Sequence, residues 1–331
     1  MGNHKFERGV AKARGSSDFR SKPTTAIAAP KWCASGTRSS RNTGSDYRPP
    51  RSKPDAKGDF LSPCKPNDNL GSSSGAGNFC GTNEVLEDTR KRISKEIKKK
   101  FWMPLEGRHK AGAWEALDGC YSEGHRAYHT WEHIAHLLKK LDEFSYLARR
   151  IDIVAISIFW HDVVHRAVNQ DGIPCTDYEN VRDSCKLFRE FTLLNTIDAD
   201  AVHDLIMGTA DHLQARAEKQ HYVGFAGDLD LFLDLDLSSL ASPWNEFARG
   251  LDQIRSELSW VPETDFCSSR LRLLQAFAKQ DVRLYRRAEA RQEWFPLARA
   301  NLKRGMAKLQ ARLAELSAAE CLRRPEDSLP G

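Results

Sequence analysis

The chain has 331 residues, enough for one large domain or two small ones with an ample apolar core. Its net charge of +5 is uneven, because the segment through Thr82 carries 14 Lys and Arg against 6 Asp and Glu, whereas the remainder carries 36 against 39. A nucleic-acid-binding surface on the main domain is therefore not indicated. No stretch approaches the roughly 18 apolar residues that cross a bilayer, so no membrane partner is expected.

The eight cysteines form no CxxC pair and are spread along the chain, which is typical of reduced thiols inside a cell. No secretory apolar segment follows Met1, so we expect an intracellular, most simply cytoplasmic, protein. Residues 1–82 are rich in Ser, Gly, Pro, Lys and Arg, a composition that predicts a disordered basic tail. The same Arg- and Ser-rich, acid-poor composition is also found in organelle transit segments, so organelle targeting is the alternative.

From residue 84 to 318 apolar residues recur at helical spacing, and strand signals are nearly absent. Residues 228–240 alternate apolar and acidic side chains and suit a short helix or a strand. We therefore predict an all-α domain over 84–318 and a loose C-terminal end at 319–331. The other predicted helices are 83–100, 111–117, 128–150, 151–160, 178–192, 199–213, 243–258, 265–287 and 293–317.

The segment Ile151–Trp160 is apolar apart from Asp152 and Ser157, and it is followed directly by His161-Asp162. A helix that is apolar on nearly every face belongs in a core. An imidazole and a carboxylate at the end of such a helix are costly to bury unless a partner charge or a metal ion compensates them. His161-Asp162 is therefore a candidate metal site.

Three other clusters carry chemistry: residues 121–133, with His129 and His133 on one helical face; residues 209–212, which end in His212; and residues 232–237, where Asp234 and Asp236 lie among leucines. Divalent transition metals favour imidazole nitrogen and carboxylate oxygen. A His, the His-Asp pair and an Asp from three separate helices would supply four ligands to one ion.

At these residues the chain resembles the HD superfamily of metal-dependent phosphohydrolases, whose signature is a His, a His-Asp pair and a distant Asp. It is most similar to a branch of predicted HD phosphohydrolases, over roughly residues 114–305. The motifs that match are the YxExxRxYHxxxH pattern (Tyr121, Glu123, Arg126, Tyr128, His129, His133), the FHD pattern (Trp160-His161-Asp162), TxxH (Thr209–His212), FLDxDL (Phe232–Leu237), RxE (Arg255, Glu257) and ARxNL (Ala298–Leu302).

The resemblance implies an HD-type helical bundle whose divalent cation is held by His133, His161, Asp162 and Asp236. Two ligands have alternatives, Asp234 in place of Asp236 and His129 in place of His133. Such a donor set does not distinguish manganese, iron, cobalt, nickel, zinc or magnesium.

The implied activity is hydrolysis of a phosphoester, in a nucleotide or a related small molecule. Arg126 would bind a phosphate, or form an ordinary ion pair with Glu123, which lies three residues earlier. His129 or His212 would handle a proton or bind phosphate. A rival interpretation takes the HxxEH spacing of residues 129–133 as a metallopeptidase motif, but it leaves His161-Asp162 without a role.

The chain departs from the family pattern downstream of the His-Asp pair. The family has an Asn-Glu pair where this chain has Asn180-Val181, although Glu179 lies one position earlier, and His165 stands where the family often has Tyr. The alternative function is therefore a catalytically weakened protein that binds a nucleotide or partner as a sensor. The sequence does not determine an oligomeric state.

Overall fold

The computed structural model describes residues 80–169, 173–215 and 226–323. These residues form ten α-helices and no β-strand, which confirms the all-α prediction. The predicted tail lies outside the described residues except for its last three positions. The helices are α1 Cys80–Ile97, α2 Ala113–Tyr121, α3 Trp131–Glu143, α4 Ile151–Trp160, α5 Asp177–Phe191, α6 Thr196–Gly208, α7 Ala226–Asp236, α8 Trp244–Glu257, α9 Glu263–Lys279 and α10 Ala288–Arg323.

Several helix boundaries differ from the predicted ones. The helix predicted over 128–150 is shorter, because Thr130 caps it at its start and the chain turns through Ser145–Leu147 after Phe144. α10 continues to Arg323 through residues that favour helix, so the predicted loose end begins later than residue 319. α1 begins at Cys80, three residues before the predicted start at Asn83. Such terminal turns are the part of a helix that sequence determines least.

α4 lies at the centre of the packing and contacts α3, α5, α6 and α7. Seven of its ten residues are buried, which explains why the sequence shows no polar face there. Complete burial of each large aliphatic or aromatic side chain contributes about 1.5–3 kcal/mol. His161, the residue that follows α4, is therefore held inside the molecule.

The helix ends around α4 are held by specific caps. The Thr130 hydroxyl accepts the backbone N–H of Glu132, which fixes the first turn of α3. Thr176 and Glu179 form a reciprocal capping box at the start of α5. The turn after α7 is held by Asn301 of α10, whose amide donates to the carbonyls of Leu240 and Ser242 at 2.9 and 2.7 Å. Within the described ranges, no helix is long and apolar enough to cross a membrane.

Candidate metal centre

His161 lies at the C-terminal end of α4 and is 1% exposed. Its Nδ1 is 2.9 Å from the carbonyl oxygen of Ile158, one turn back in the same helix. Because a carbonyl can only accept, Nδ1 carries a proton, so that Nε2 is the ring nitrogen left to bind either a second proton or a metal ion. A hydrogen bond of this kind is the usual device that orients a metal-binding imidazole.

His133 reaches the same point from the first turn of α3. Its Nε2 lies 3.2 Å from Nε2 of His161, 3.5 Å from Oδ2 of Asp162 and 3.3 Å from Oδ1 of Asp236. Nε2 of His161 in turn lies 3.0 Å from Oδ2 of Asp162 and 3.6 Å from Oδ1 of Asp236. The structure thus brings together the four predicted ligands, one from the start of α3, two from the end of α4 and one from the end of α7.

Asp234 and Asp236 have different surroundings although they are two residues apart in α7. The carboxylate of Asp236 contacts the two imidazoles, whereas Asp234 accepts the backbone N–H groups of Arg286 and Arg287, both at 2.7 Å. Asp234 therefore holds the chain at the start of α10. This geometry gives no support to Asp234 as a metal ligand in place of Asp236.

The donor atoms have the spacing that one ion requires. A metal–ligand distance of about 2.1 Å places neighbouring ligands about 3.0 Å apart in an octahedron and about 3.4 Å apart in a tetrahedron. The separations of 3.0–3.6 Å around the two imidazoles fall close to this range. His133, His161 and Asp162 have ligand atoms within 4.8 Å of one another, and Asp236 extends this group through its contacts with the two rings.

The electrostatics of the group favour ionised carboxylates. Burial opposes the charged form of Asp162 and Asp236, but His161 and His133 outweigh it and hold the pKa of both carboxyls well below the usual range. Burial also opposes charge on His161, but the two carboxylates outweigh it and hold its pKa well above the ordinary value. The group therefore requires positive charge between its carboxylates, which bound protons or a cation can supply.

His212 belongs to the same group through Asp236. It follows the short 3-10 turn after α6, and its Nε2 lies 2.7 Å from Oδ2 of Asp236. Its backbone carbonyl accepts from the guanidinium of Arg286. His212 thus orients the outer oxygen of Asp236, and its side chain is 21% exposed.

Arg126 lies beside the centre and is buried among protein groups. Its side chain is 1% exposed, and its Nε pairs with Glu123 at 2.8 Å. Its terminal nitrogens donate to the carbonyls of Asp162 and Val163 at 2.7 and 2.8 Å, and more weakly to that of His129 at 3.3 Å. We therefore correct the predicted phosphate contact to a positioning role, in which Arg126 fixes the backbone after the His-Asp pair.

His129 belongs to a second group, with His165 and Glu257, that could also hold a metal ion. Its Nδ1 lies 2.7 Å from Oε2 of Glu257, and the His165 ring stacks on it with ring centroids 3.9 Å apart. Oε1 of Glu257 accepts the backbone N–H groups of Ala127, Tyr128 and His129 at 2.8–2.9 Å. Glu257 therefore fixes both the loop before α3 and the ring of His129.

Burial, followed by the neighbouring His165, lowers the pKa of His129, although Glu257 opposes this shift. Burial opposes ionisation of Glu257, but its contacts with His129 and His165 outweigh it and lower the pKa of Glu257. His129 thus lies next to the first group as a neutral imidazole held by a carboxylate. The ring centroids of His129 and His133 are 6.1 Å apart.

No role for Glu257 was predictable from the sequence, although the residue stands in one of the matching motifs. In the sequence Glu257 is a carboxylate at the end of an amphipathic helix. Such residues are common on solvent-exposed helices, so the pattern does not point to a function. Only the packing of α8 against the loop before α3 shows that Glu257 is buried.

Position 181, where the phosphohydrolases that the sequence resembles have Glu, holds a buried apolar residue. Val181 is 6% exposed and belongs to the core. Glu179 does not replace the missing acid, because its carboxylate accepts the N–H and the hydroxyl of Thr176 in the capping box. The adjacent Asn180 exchanges hydrogen bonds with the backbone of Arg166 and so fixes the loop that follows the His-Asp pair.

No protein-family model matches the chain, and no curated protein matches it.

Proposed function

We propose that the protein is a metal-dependent phosphohydrolase of the HD type, with one divalent cation held by His133, His161, Asp162 and Asp236. The observation that carries the proposal is the convergence of two imidazole nitrogens and two carboxylates from three helix ends, at separations of 3.0–3.6 Å. The resemblance of the sequence motifs supports the reaction type. The substrate class is a small molecule with a phosphoester, such as a nucleotide.

When bound, the cation would polarise a phosphoryl oxygen and lower the pKa of a coordinated water. The residues of the chain have separate tasks. His161 is oriented by the Ile158 carbonyl, Asp236 by His212, and the backbone after Asp162 by Arg126. Such second contacts fix the direction of each ligand and raise metal affinity about 10- to 100-fold.

His129 is the group that we assign to proton transfer. Glu257 accepts only, so Nδ1 of His129 donates to it and Nε2 of the neutral ring is free to accept a proton. An imidazole oriented in this way by a carboxylate is a recurring arrangement for a general base or acid. Glu257 is a positioning residue in this scheme.

A specific observation favours a second candidate, a sensor that binds a nucleotide without hydrolysing it. Val181 supplies no carboxylate, and Glu179 is committed to its cap. If the missing acid orients water or substrate in the family, this chain would bind a ligand and turn it over slowly. The metal ligands are the same in both candidates.

The test is metal analysis of the purified chain, followed by a panel of phosphoesters with manganese, nickel, iron or zinc. The phosphohydrolase proposal predicts metal-dependent turnover of at least one compound and its loss in Asp162→Ala. Stabilisation by a nucleotide without turnover would favour the sensor. Unchanged turnover in Asp162→Ala would contradict the assignment of the metal ligands.

A further inference from the structure

A cavity of about 120 Å³ lies behind the candidate metal centre, between α3, α8 and α9. It shares His133 with the metal centre but none of the other three proposed ligands. Its polar lining includes Tyr128, His136 and Ser239, and two arginines border it, Arg249 from α8 and Arg270 from α9. The volume holds several water molecules or one small ion.

Arg270 is a cation without a counter-ion among the described residues. Its Nε is completely buried and has no hydrogen-bond acceptor there, and no described carboxylate forms an ion pair with it. Burial lowers the pKa of the guanidinium, and Tyr128 and Asp177 favour its charge without accepting a hydrogen bond from it. The side chain as a whole is partly buried. Because arginine stays protonated in proteins, its charge lies at a place of reduced solvation.

The surroundings of Arg270 include hydrogen-bonding groups but no acid that neutralises it. Tyr128 donates its hydroxyl to Oγ of Ser239 at 2.9 Å, which leaves the tyrosine oxygen free to accept. Glu132 and Glu246 also border the cavity, but neither forms an ion pair with Arg270. A partly buried guanidinium whose buried Nε–H has no acceptor is unfavourable unless a bound group supplies that acceptor.

We propose that the cavity is a binding site for a small oxyanion, a phosphate or carboxylate group, with Arg270 as its main ligand and Arg249 as a second cation at its edge. Guanidinium groups bind both oxyanions through paired hydrogen bonds. The site is separate from the metal centre and does not depend on the proposed function. An anion there would lie against the face of His133 that borders the cavity.

The test is a titration of the full-length protein with inorganic phosphate, and separately with acetate, at constant ionic strength and in the presence of EDTA. Thermal stabilisation and calorimetry report binding, because a ligand that binds only the folded state raises the melting temperature. We expect phosphate, acetate or both to stabilise the wild type. Arg270→Gln should weaken binding by roughly tenfold or more, the loss expected for a charge-assisted hydrogen-bonded pair.

Arg272→Gln is the matched control, because Arg272 is exposed on the same helix. It should bind the anion like the wild type. Without anion, Arg270→Gln should be at least as stable as the wild type, since it removes an uncompensated charge. If Arg270→Gln folds poorly, Arg270→Lys retains the charge without the paired donors and should bind measurably more weakly.

Two results would overturn the proposal. One is that neither phosphate nor acetate stabilises the wild type. The other is equal anion binding by the wild type and the Arg270 variants, which would place the anion elsewhere, for example on the basic N-terminal segment.

Discussion

Arg126 donates from Nη1 to the backbone carbonyl of Asp162 at 2.7 Å, so a buried guanidinium in the loop before α3 holds the backbone of a proposed metal ligand. The neighbouring Nη2 holds the carbonyl of Val163 in the same way. This clamp joins two parts of the chain that supply ligands, the loop leading to His133 and the end of α4. The positions of the proposed metal ligands therefore depend on this clamp.

Replacing Arg126 by Ala should therefore destabilise the fold by about 3 kcal/mol or more, because buried carbonyls lose their donors and Glu123 loses its partner. Urea unfolding measures the change. Arg182→Ala is the control, since Arg182 is exposed and its pair with Asp183 is screened by solvent, so its loss should change the stability little. A stable Arg126→Ala protein whose only defect is a higher KM for phosphoesters would restore the phosphate-binding role.

Glu257→Gln should also destabilise the protein, by about 2 kcal/mol. The charged Oε1 accepts three backbone N–H groups, and hydrogen bonds to a charged acceptor are worth more than those to a neutral amide. If the amide oxygen of the variant takes over the three contacts of Oε1, its NH2 group faces the N–H at Nδ1 of His129. Two donors would then oppose each other. Glu246→Gln, on the same helix and exposed, should change stability by less than about 0.5 kcal/mol. Equal effects of the two substitutions in urea unfolding would refute the anchoring role.

His109 makes the stability depend on pH. Its ring accepts from Trp160 Nε1 at 3.2 Å and donates to the Leu105 carbonyl at 3.0 Å, and burial lowers its pKa from 6.5 to about 4. The unfolded chain therefore binds a proton at a higher pH than the folded chain does. The stability from neutral His109 is complete above about pH 6.5 and is lost as the pH falls towards 4, by at most about 3 kcal/mol.

Chemical denaturation of the wild type and of His109→Gln across this pH range measures the effect. The wild type should lose more stability on acidification than the variant, because the variant has no group that titrates at this position. Parallel pH curves for the two proteins would show that His109 does not carry the dependence.

The features that were predictable from sequence are local ones. The all-apolar pattern of Ile151–Trp160 is imposed by burial on every side, so it identified both the core helix and the position of His161-Asp162. The helix or strand ambiguity of residues 228–240 was resolved by packing, because α7 ends at Asp236 with Leu229, Phe232 and Leu233 buried. Alternation alone could not distinguish these cases.

The features that were not predictable depend on contacts between distant parts of the chain. Glu257 and His129 are separated by 128 positions, and only the packing of α8 brings them together. The spacing of Glu123 and Arg126 indicated either an ion pair or a phosphate contact, and the ion pair is present. The choice depended on the burial of Arg126 under the carbonyls after α4, which the local sequence does not encode.

The most direct test of the metal centre compares two aspartates of the same helix. Calorimetric titration of the chelator-treated protein with manganese or nickel should show one tight site in the wild type. Asp234→Asn should retain this site in each folded molecule. Asp236→Asn should weaken metal binding by about tenfold or more, because of these two aspartates only Asp236 contacts His133 and His161. Equal metal affinity in the two variants, or no binding by the wild type, would contradict the proposed centre.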